Sequence, residues 1–412
     1  MESVEDFRLR ARAWIKDNLV YVGPVTMNMD PRPDEEELAA VAHDRQVQRR
    51  FFDAGFAGLC VPVEYGGQGL TPAHQRVWNE ELAGYEFPLR LGVPTMTPCL
   101  AVLLDLGTEE QKQRHIPAIL KGEQIWAQML SEPSGGSDVA GALTTATRDG
   151  ADWLLNGSKI WTTGAWWSDW ALCLARTNWD VPKHRGLTVF MVPLDQPGLD
   201  VHRIEVLNGN KEFCQEFLTD VRVPDTDRLG EVDDGWTVGT RWMSHERMLY
   251  NSPYVTFPVG TIRSNSGGSP VITVARDVGR LDDPVARELI GEVRALELVD
   301  ETMRRRITEG VTSGLMPDQS ASMARITHAN FVERKINICL ELAGDLGAAW
   351  TDDDGGAVRR GVDFLTRQAD SIAGGTTEMA RNVVSERLLG MPREQSHDRD
   401  LPFRDVPRGG RT

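Results

Sequence analysis

The hydrophobic pattern of the chain changes period twice, and this change limits the possible folds more than any other feature. In residues 1–124 apolar side chains recur every three or four positions, as on one face of a helix. Residues 125–234 hold short β-type runs separated by turn residues. Helical spacing returns in residues 235–392, and residues 393–412 form a charged tail that we expect to be frayed. Helices, then strands, then helices predict an α+β fold.

Local signals refine this outline. Thr108 followed by Gln111 is a capping box, which predicts a helix running through Leu120. Asn156-Gly157 lies between two β-type runs and predicts the tight turn of a hairpin. The stretch between Pro253 and Pro270 is predicted to be a loop that interrupts the last helical region.

Composition and charge argue against several classes of function. The net charge of −16 disfavours nucleic-acid binding, which depends on clustered Lys and Arg. The five cysteines are dispersed and no histidine pair has ligand spacing, so we expect reduced thiols and no metal site. No stretch approaches about 18 consecutive apolar residues, and the acidic N-terminus does not read as a secretory signal. We therefore expect a cytoplasmic protein without a membrane partner.

Five blocks carry the candidate chemistry, and all five occur in the order of one known family. They are Gly66-Gly67, the run QMLSEPSGGSDV from Gln128, Asn156-Gly157 with KIWTT from Lys159, FLTDVRVP from Phe217, and GGTTE from Gly374. Together they resemble the FAD-dependent acyl-CoA dehydrogenases from about residue 58 to residue 392. The resemblance implies an N-terminal helical domain, a central β-barrel-like domain and a C-terminal four-helix bundle.

The resemblance also implies roles around the flavin. Small residues let backbone approach a cofactor closely, and polar side chains recognise the edge of its ring. By resemblance Gln128, Leu130 and Ser131 contact the flavin, and Ser137 faces the cofactor or the pantetheine arm of the substrate. Trp161 and Thr163 would lie against the isoalloxazine ring. A core tryptophan in a hairpin is the structural alternative for Trp161.

The adenine end of FAD is completed by a neighbouring subunit in this family. The matching positions are Arg276, Glu341, Gly344, Thr376 and Glu378. The family usually has Gln at the first acidic position and a second Gly where this chain has Asp345. A carboxylate near a pyrophosphate is unfavourable unless it is paired or turned away. A solvent-exposed helix end is therefore the alternative for Arg276 and Glu341.

The catalytic base is predicted from the absence of a side chain at the position that usually carries it. Many family members place a Glu directly before Gly-Thr near the C-terminus, where this chain has Gly374. A smaller branch supplies Glu from the first long helix of the C-terminal domain, in a Glu-Arg pair that matches Glu246-Arg247. Gly374 would leave room for Glu246, and Gly374 and Arg247 would border the substrate. His245 is one helical position away and cannot face the flavin together with Glu246.

The implied activity is α,β-dehydrogenation of an acyl-CoA thioester to a trans-2-enoyl-CoA, in fatty acid or lipid metabolism. FAD would accept the hydride, and an electron-transfer flavoprotein would reoxidise it. We expect a homodimer or homotetramer, with a heteromeric pair also open. A flavin monooxygenase or oxidase of the same fold, and a partner subunit without catalysis, remain alternatives. The interruption between Pro253 and Pro270 could widen the pocket for a branched or polycyclic acyl group.

Overall fold

The N-terminal region of the computed structural model is helical. The structure describes residues 2–23, 25–27, 31–247, 252–258, 262–264, 270–349, 351, 356–396 and 398–407. The first helices are α1 (Val4–Asn18), α2 (Asp34–Asp53), α3 (Pro72–Glu81), α4 (Leu89–Leu91), α5 (Ala101–Leu106) and α6 (Glu109–Leu120). An irregular segment, Gly92–Leu100, joins α4 to α5 and leaves helical geometry at Val93 and Thr97.

The predicted amphipathic face and capping box of this region are confirmed. Phe7, Ala11 and Ile15 are buried along α1, where they belong to a core that also contains Phe51 and Trp78. At the start of α6 the hydroxyl of Thr108 accepts the N–H of Gln111, and the Gln111 side chain accepts the N–H of Thr108. This exchange satisfies two of the free N–H groups at the helix start.

A single sheet dominates the centre of the described chain. Its strands are β2 (Trp126–Met129), β3 (Thr145–Asp149), β4 (Asp152–Thr163), β5 (Trp170–Arg176), β6 (Leu187–Pro193), β7 (Leu199–Arg203), β8 (Phe213–Pro224) and β9 (Arg228–Leu229). The order is β7-β8-β4-β3-β5-β6-β9, and β2 pairs with β5 in parallel. Most other pairs are antiparallel, as in sheets built from hairpins.

The predicted turn at Asn156-Gly157 is wrong. β4 runs through both residues, and the chain turns earlier, between β3 and β4, where Gly150 has a φ of 61°. The Asn156 amide instead exchanges hydrogen bonds with Asp220 on β8, and the pairing of β4 with β8 shifts register next to Gly157. Asn-Gly here serves a bulge and not a hairpin turn.

The C-terminal region is helical again. Its helices are α7 (Gly235–Arg247), α8 (Val271–Asp277), α9 (Pro284–Thr312), α10 (Ala321–Ala343), α11 (Asp345–Ala348), α12 (Gly356–Thr366), α13 (Ala369–Ile372) and α14 (Thr377–Val383), which a wider turn extends over Val384–Leu388. α8, α9, α12 and α14 all pack on α10. α7 differs, because its buried Val238 and Trp242 belong to the core formed by α5, α6 and the sheet.

Two predictions about irregular segments need revision. Residues 259–261 and 265–269 lie outside the described residues, but Ile262–Ser264 forms strand β10, which pairs in parallel with β1 (Val25–Met27) and is no loop. The tail is not frayed throughout: Phe403 is 3% exposed and its N–H donates to the carbonyl of Val181 at 2.9 Å.

One segment meets the size of a membrane span, contrary to expectation. Residues Leu89–Leu106 are long and apolar enough by length and composition, and 61% of this window is buried inside the protein. Leu100, Val102 and Leu103 are fully buried in the core shared by the helices and the sheet. Their burial is typical of the core helix of a globular domain.

Candidate active site

Helix α7 carries the predicted base and is fixed against the sheet. Gly235 begins the helix so close to β6 that a Cβ atom there would lie 2.5 Å from the backbone nitrogen of Thr188. One turn before the helix end, the indole Nε1 of Trp242 donates to Oε1 of Gln128 on β2 at 2.8 Å. These contacts fix both the start and the rotation of α7.

The Glu246 carboxylate lies in a largely desolvated position. Burial raises its pKa, while the charge of Arg247, a hydrogen bond from Gln128 and the charge of Arg325 each lower the pKa. Because Trp242 occupies the Gln128 oxygen, the amide nitrogen of Gln128 is the atom that can donate to Glu246. A carboxylate with a raised pKa and a fixed donor is suited to proton abstraction.

The glycine that replaces the usual base faces this carboxylate. Gly374 has a φ of 64°, and a Cβ atom built on it would lie 4.0 Å from Oε1 of Glu246. The structure therefore brings together the two positions that the sequence linked. Arg247 is exposed at the end of α7, and the roles of all three residues stay predictions.

His245 faces away from this pair. It is 7% exposed, and its Nε2 lies 2.7 Å from Oδ2 of Asp105 on α5. The contact joins α7 to α5 on the side of the helix next to the N-terminal core. His245 is accordingly a structural partner of Asp105.

The flavin blocks meet where the chain leaves β2 and passes β4. The N–H of Ile160 donates to the carbonyl of Ser131 at 3.0 Å, and Lys159 donates to the carbonyl of Leu130 at 3.3 Å. This pairing brings together the five flavin-side residues predicted from the two blocks: Gln128, Leu130, Ser131, Trp161 and Thr163.

A buried ion pair stiffens the same blocks. Lys159 Nζ lies 2.8 Å from Oε1 of Glu132, and the two side chains are 0% and 5% exposed. The Glu132 carboxylate also accepts the N–H groups of Leu143 and Thr144 at 2.6 and 2.9 Å. The loop between Glu132 and Leu143 has Ser137 exposed near its tip, and these hydrogen bonds close the loop at its base.

These residues fit the flavin end of FAD. Trp161 has a φ of 66° beside a register shift in β4, and it is 53% exposed although Lys159 and Thr162 on the same strand are buried. Its ring packs edge-on against Phe213 alone among the described aromatic side chains. Gly135 has open space where a Cβ would stand. An exposed aromatic face beside hydroxyl and amide groups is the chemistry that a flavin ring requires.

The adenine-side residues fall into two separate groups. Arg325, at the start of α10, donates to the carbonyl of Gly375 and so places Thr376 and Glu378 near that end. Glu341 lies 16 residues further along α10, about 24 Å away at the usual rise of an α-helix. Arg276 on α8 and Gly344 belong to this second end, where Val274 and Ala275 pack in one core with Leu342 and Ala343. Glu341 and Arg276 are both exposed.

A cleft adjoins the flavin-side residues. It has a cavity volume of about 150 Å³ between the N-terminal helices and the sheet, and Thr163 lies in its wall. The lining mixes aromatic rings, such as Trp167 and Phe257, with charged groups, such as Arg90 and Arg203.

The sequence did not single out Arg325, Glu132 or Lys159 for a role at the site. Lys159 begins one of the five blocks, and its position two residues before Trp161 could have drawn attention to it. Arg325 is one of many arginines in the C-terminal helices, and no local pattern distinguishes it.

Three family models match the chain. They describe the N-terminal domain of acyl-CoA dehydrogenases over residues 23–123, the middle domain over 127–221 and the C-terminal domain over 273–389. The acyl-CoA dehydrogenase IpdE1 of Mycobacterium tuberculosis is 31% identical over 397 residues, covering 96% of this chain and 99% of that protein.

Solved structures agree with this match. The Tcur3481-Tcur3483 steroid ACAD is 26% identical with a TM-score of 0.70, covering 96% of this chain and 99% of that one. The ChsE4-ChsE5 complex from Mycobacterium tuberculosis is 25% identical with a TM-score of 0.69 and the same coverage.

Proposed function

The chain belongs to the acyl-CoA dehydrogenase family, and from this premise we propose that Glu246 is the base that removes the α-proton of an acyl-CoA thioester. Members of the family are FAD-dependent flavoproteins, and FAD, when bound, accepts the β-hydrogen as a hydride. The observation that carries the proposal is the 4.0 Å between Oε1 of Glu246 and the Cβ position of Gly374. This distance supports a carboxylate that acts in the same space as the family's usual base.

The residues around Glu246 support this role. The α-proton passes to the Glu246 carboxylate, the β-hydrogen leaves with its electron pair, and a trans double bond forms between the two carbons. Gln128 orients the carboxylate by donating from its amide nitrogen. Partial burial of the carboxylate reduces its hydration and so keeps it a stronger base.

We extend the proposal to a bulky, oxygen-bearing acyl group. The lining of the cleft beside Thr163 mixes aromatic and charged side chains, which suits an oxygen-bearing polycyclic group better than a straight alkyl chain. The likeness to a structure named as a steroid ACAD supports the same choice. Comparing a polycyclic acyl-CoA with palmitoyl-CoA by anaerobic flavin reduction tests it. Faster reduction by palmitoyl-CoA would contradict the proposal.

We also propose that two chains complete each FAD site. The two adenine-side groups are about 24 Å apart along α10. Because of this separation, the two groups of one chain can more readily contribute to two FAD sites shared between two subunits than to one site within a single subunit. The partner could be a second copy or a related chain, and two similar solved structures carry paired names. Light scattering and FAD content of the chain purified alone separate these cases. A chain that stays colourless on titration with FAD would favour the role of a partner subunit.

Reoxidation of the reduced flavin by an electron-transfer flavoprotein remains part of the proposal. The alternative is oxidase chemistry, in which oxygen reoxidises the flavin. An oxidase would consume oxygen at the rate of substrate turnover, whereas a dehydrogenase needs an added acceptor. Oxygen electrode measurements with and without an artificial acceptor distinguish the two.

The decisive experiment on the base is Glu246→Gln, which keeps size and hydrogen bonding but removes the carboxylate. Flavin reduction by substrate should fall by roughly 10²–10⁴-fold while FAD stays bound. The double change Glu246→Gly with Gly374→Glu returns a carboxylate to the family's other position and should restore part of the rate. Wild-type reduction by Glu246→Gln would disprove the base assignment.

A further inference from the structure

Arg325 links the predicted base to the turn that faces it. Its Nε donates to the carbonyl of Gly375 at 2.8 Å, and its Nη2 donates to the carbonyls of Asp370 and Ala373, the first at 2.9 Å. Two of these three carbonyls belong to α13 or directly follow it. Carbonyls at a helix end lack partners within the helix, and an arginine side chain can satisfy them.

The turn depends on this outside support. Gly374 and Gly375 have φ values of 64° and 99°, which other residues rarely adopt. Two consecutive glycines also give the chain wide conformational freedom, so their own backbone does not hold the turn in place. The planar fork of Arg325 fixes the carbonyls on both sides of Gly374, and thereby sets its distance from Glu246.

Arg325 also brings a positive charge to the site. Its hydrogen bonds in the described structure go to neutral carbonyls, and the carboxylates whose charge acts on it are those of Asp370 and Glu246. Three other groups face Glu246: Arg247 on the same helix, Gln128 on β2, and Cys99 on the segment before α5. Burial and the nearby Glu246 charge raise the pKa of the Cys99 thiol well above its usual value, so the thiol is neutral.

We propose that Arg325 is a positioning residue for the dehydrogenation: its guanidinium holds the Gly374-Gly375 turn opposite Glu246 and supplies charge that favours the carboxylate form of the base. The inference rests on the proposed function. Arg325 acts from behind the turn through hydrogen bonds to main-chain atoms. It therefore influences both the geometry and the ionisation of the site.

The test is the pH dependence of single-turnover flavin reduction. Arg325→Gln removes the charge, so the acid limb of the profile should move to higher pH, and the plateau rate should fall roughly 10–100-fold because the turn shifts. Arg325→Lys keeps the charge but not the fork, so the limb should stay near its wild-type position while the plateau falls. Arg294→Gln, at an exposed ion pair with Glu297 on α9, is the control and should leave the profile unchanged.

Glu246→Gln separates this inference from the assignment of the base. An acid limb that persists in Glu246→Gln would disprove the base itself. If Glu246→Gln abolishes the limb, but Arg325→Gln keeps both the wild-type limb and the wild-type plateau, the inference about Arg325 alone fails. Should Arg325→Gln not fold, Arg325→Lys decides: a lowered plateau with an unmoved limb supports the inference, and a wild-type plateau overturns it.

Discussion

Oε1 of Glu246 lies 4.0 Å from the point where a side chain on Gly374 would begin. The two residues are far apart in sequence, one at the end of α7 and the other in the turn between α13 and α14. A carboxylate on either position could serve the same space, but both together would place two charges in contact. The absence of a side chain at Gly374 is therefore the complement of the carboxylate at Glu246.

Gly374→Ala should damage the site more than its effect on folding suggests. The positive φ of Gly374 costs an alanine about 1–2 kcal/mol, and the added methyl group would occupy space directly before Glu246. The matched control is Gly279→Ala, at a glycine with a similar φ of 68° and open space around its Cβ position. Denaturant unfolding should show similar losses for both variants, whereas flavin reduction should fall much further for Gly374→Ala. Equal rates in the two variants would contradict this prediction.

The sequence predicted most of the architecture because its signals were local. The spacing along α1, the capping box at Thr108 and the return of helical period after Gly235 each depend on neighbouring residues, and the structure confirms them. Asn156-Gly157 misled because the signal for a turn also suits a bulge, and the choice between them is made by Asp220, which lies on another strand.

The parts of the site that were missed depend on tertiary contacts. Arg325 acquires its role only because α10 passes behind the turn at Gly375, which no pattern along the helix reveals. Phe403 likewise lies in a charged tail, and its burial follows from a groove formed by residues of β5 and the loop after it. The pair Glu246 and Gly374 was predictable because the family resemblance supplied the missing spatial information.

Lys159→Met should destabilise the protein strongly. It would leave Glu132 buried without its cation, and breaking a buried ion pair from one side costs about 3–5 kcal/mol. Glu132 would keep its two backbone donors, Leu143 and Thr144, so the loop should loosen and not detach. The double variant Lys159→Met with Glu132→Gln is the control. It should recover part of the loss, because it removes the unpaired charge, although the amide oxygen replaces only one of the two carboxylate oxygens that accept N–H groups. Denaturant unfolding measures all three proteins, and a double variant less stable than Lys159→Met would contradict this account.

Phe403→Ala should release the C-terminal tail. The Phe403 ring stacks on Trp179 at 5.5 Å between centroids, and the guanidinium of Arg176 lies 3.7 Å from the ring centre. Losing the ring removes the main apolar contact of a short segment, which should detach before the domain unfolds. Limited proteolysis with mass spectrometry should find faster cleavage between residues 393 and 402. Leu401→Ala, at a side chain that is 40% exposed, is the control, and equal cleavage of both variants would contradict the prediction.

Glu216→Gln should stabilise the protein in a manner that depends on pH. Glu216 is 0% exposed on β8, next to the flavin-side end of β4, and the Thr162 hydroxyl donates to its Oε2 at 2.7 Å. Its Oε1 has no hydrogen-bond partner in the described structure. Burial raises the pKa of Glu216 from 4.5 to about 7, although the Thr162 hydrogen bond and the charge of Lys159 act in the opposite direction.

The direction of the stability change with pH follows from the raised pKa of Glu216. Below about pH 4.5 the carboxyl is protonated in both the folded and the unfolded state, so its ionisation affects neither. As pH rises from 4.5 to about 7, the unfolded state ionises first, and the wild-type protein loses stability that Glu216→Gln cannot lose. The free-energy difference between the two proteins should therefore grow in favour of the variant across this window, by at most about 3 kcal/mol, and stay constant above it. Glu231→Gln, at a side chain that is 87% exposed, is the control for removing a carboxylate that is not buried. Urea unfolding at pH 5, 6, 7 and 8 measures the difference, and a difference that does not change with pH would contradict the prediction.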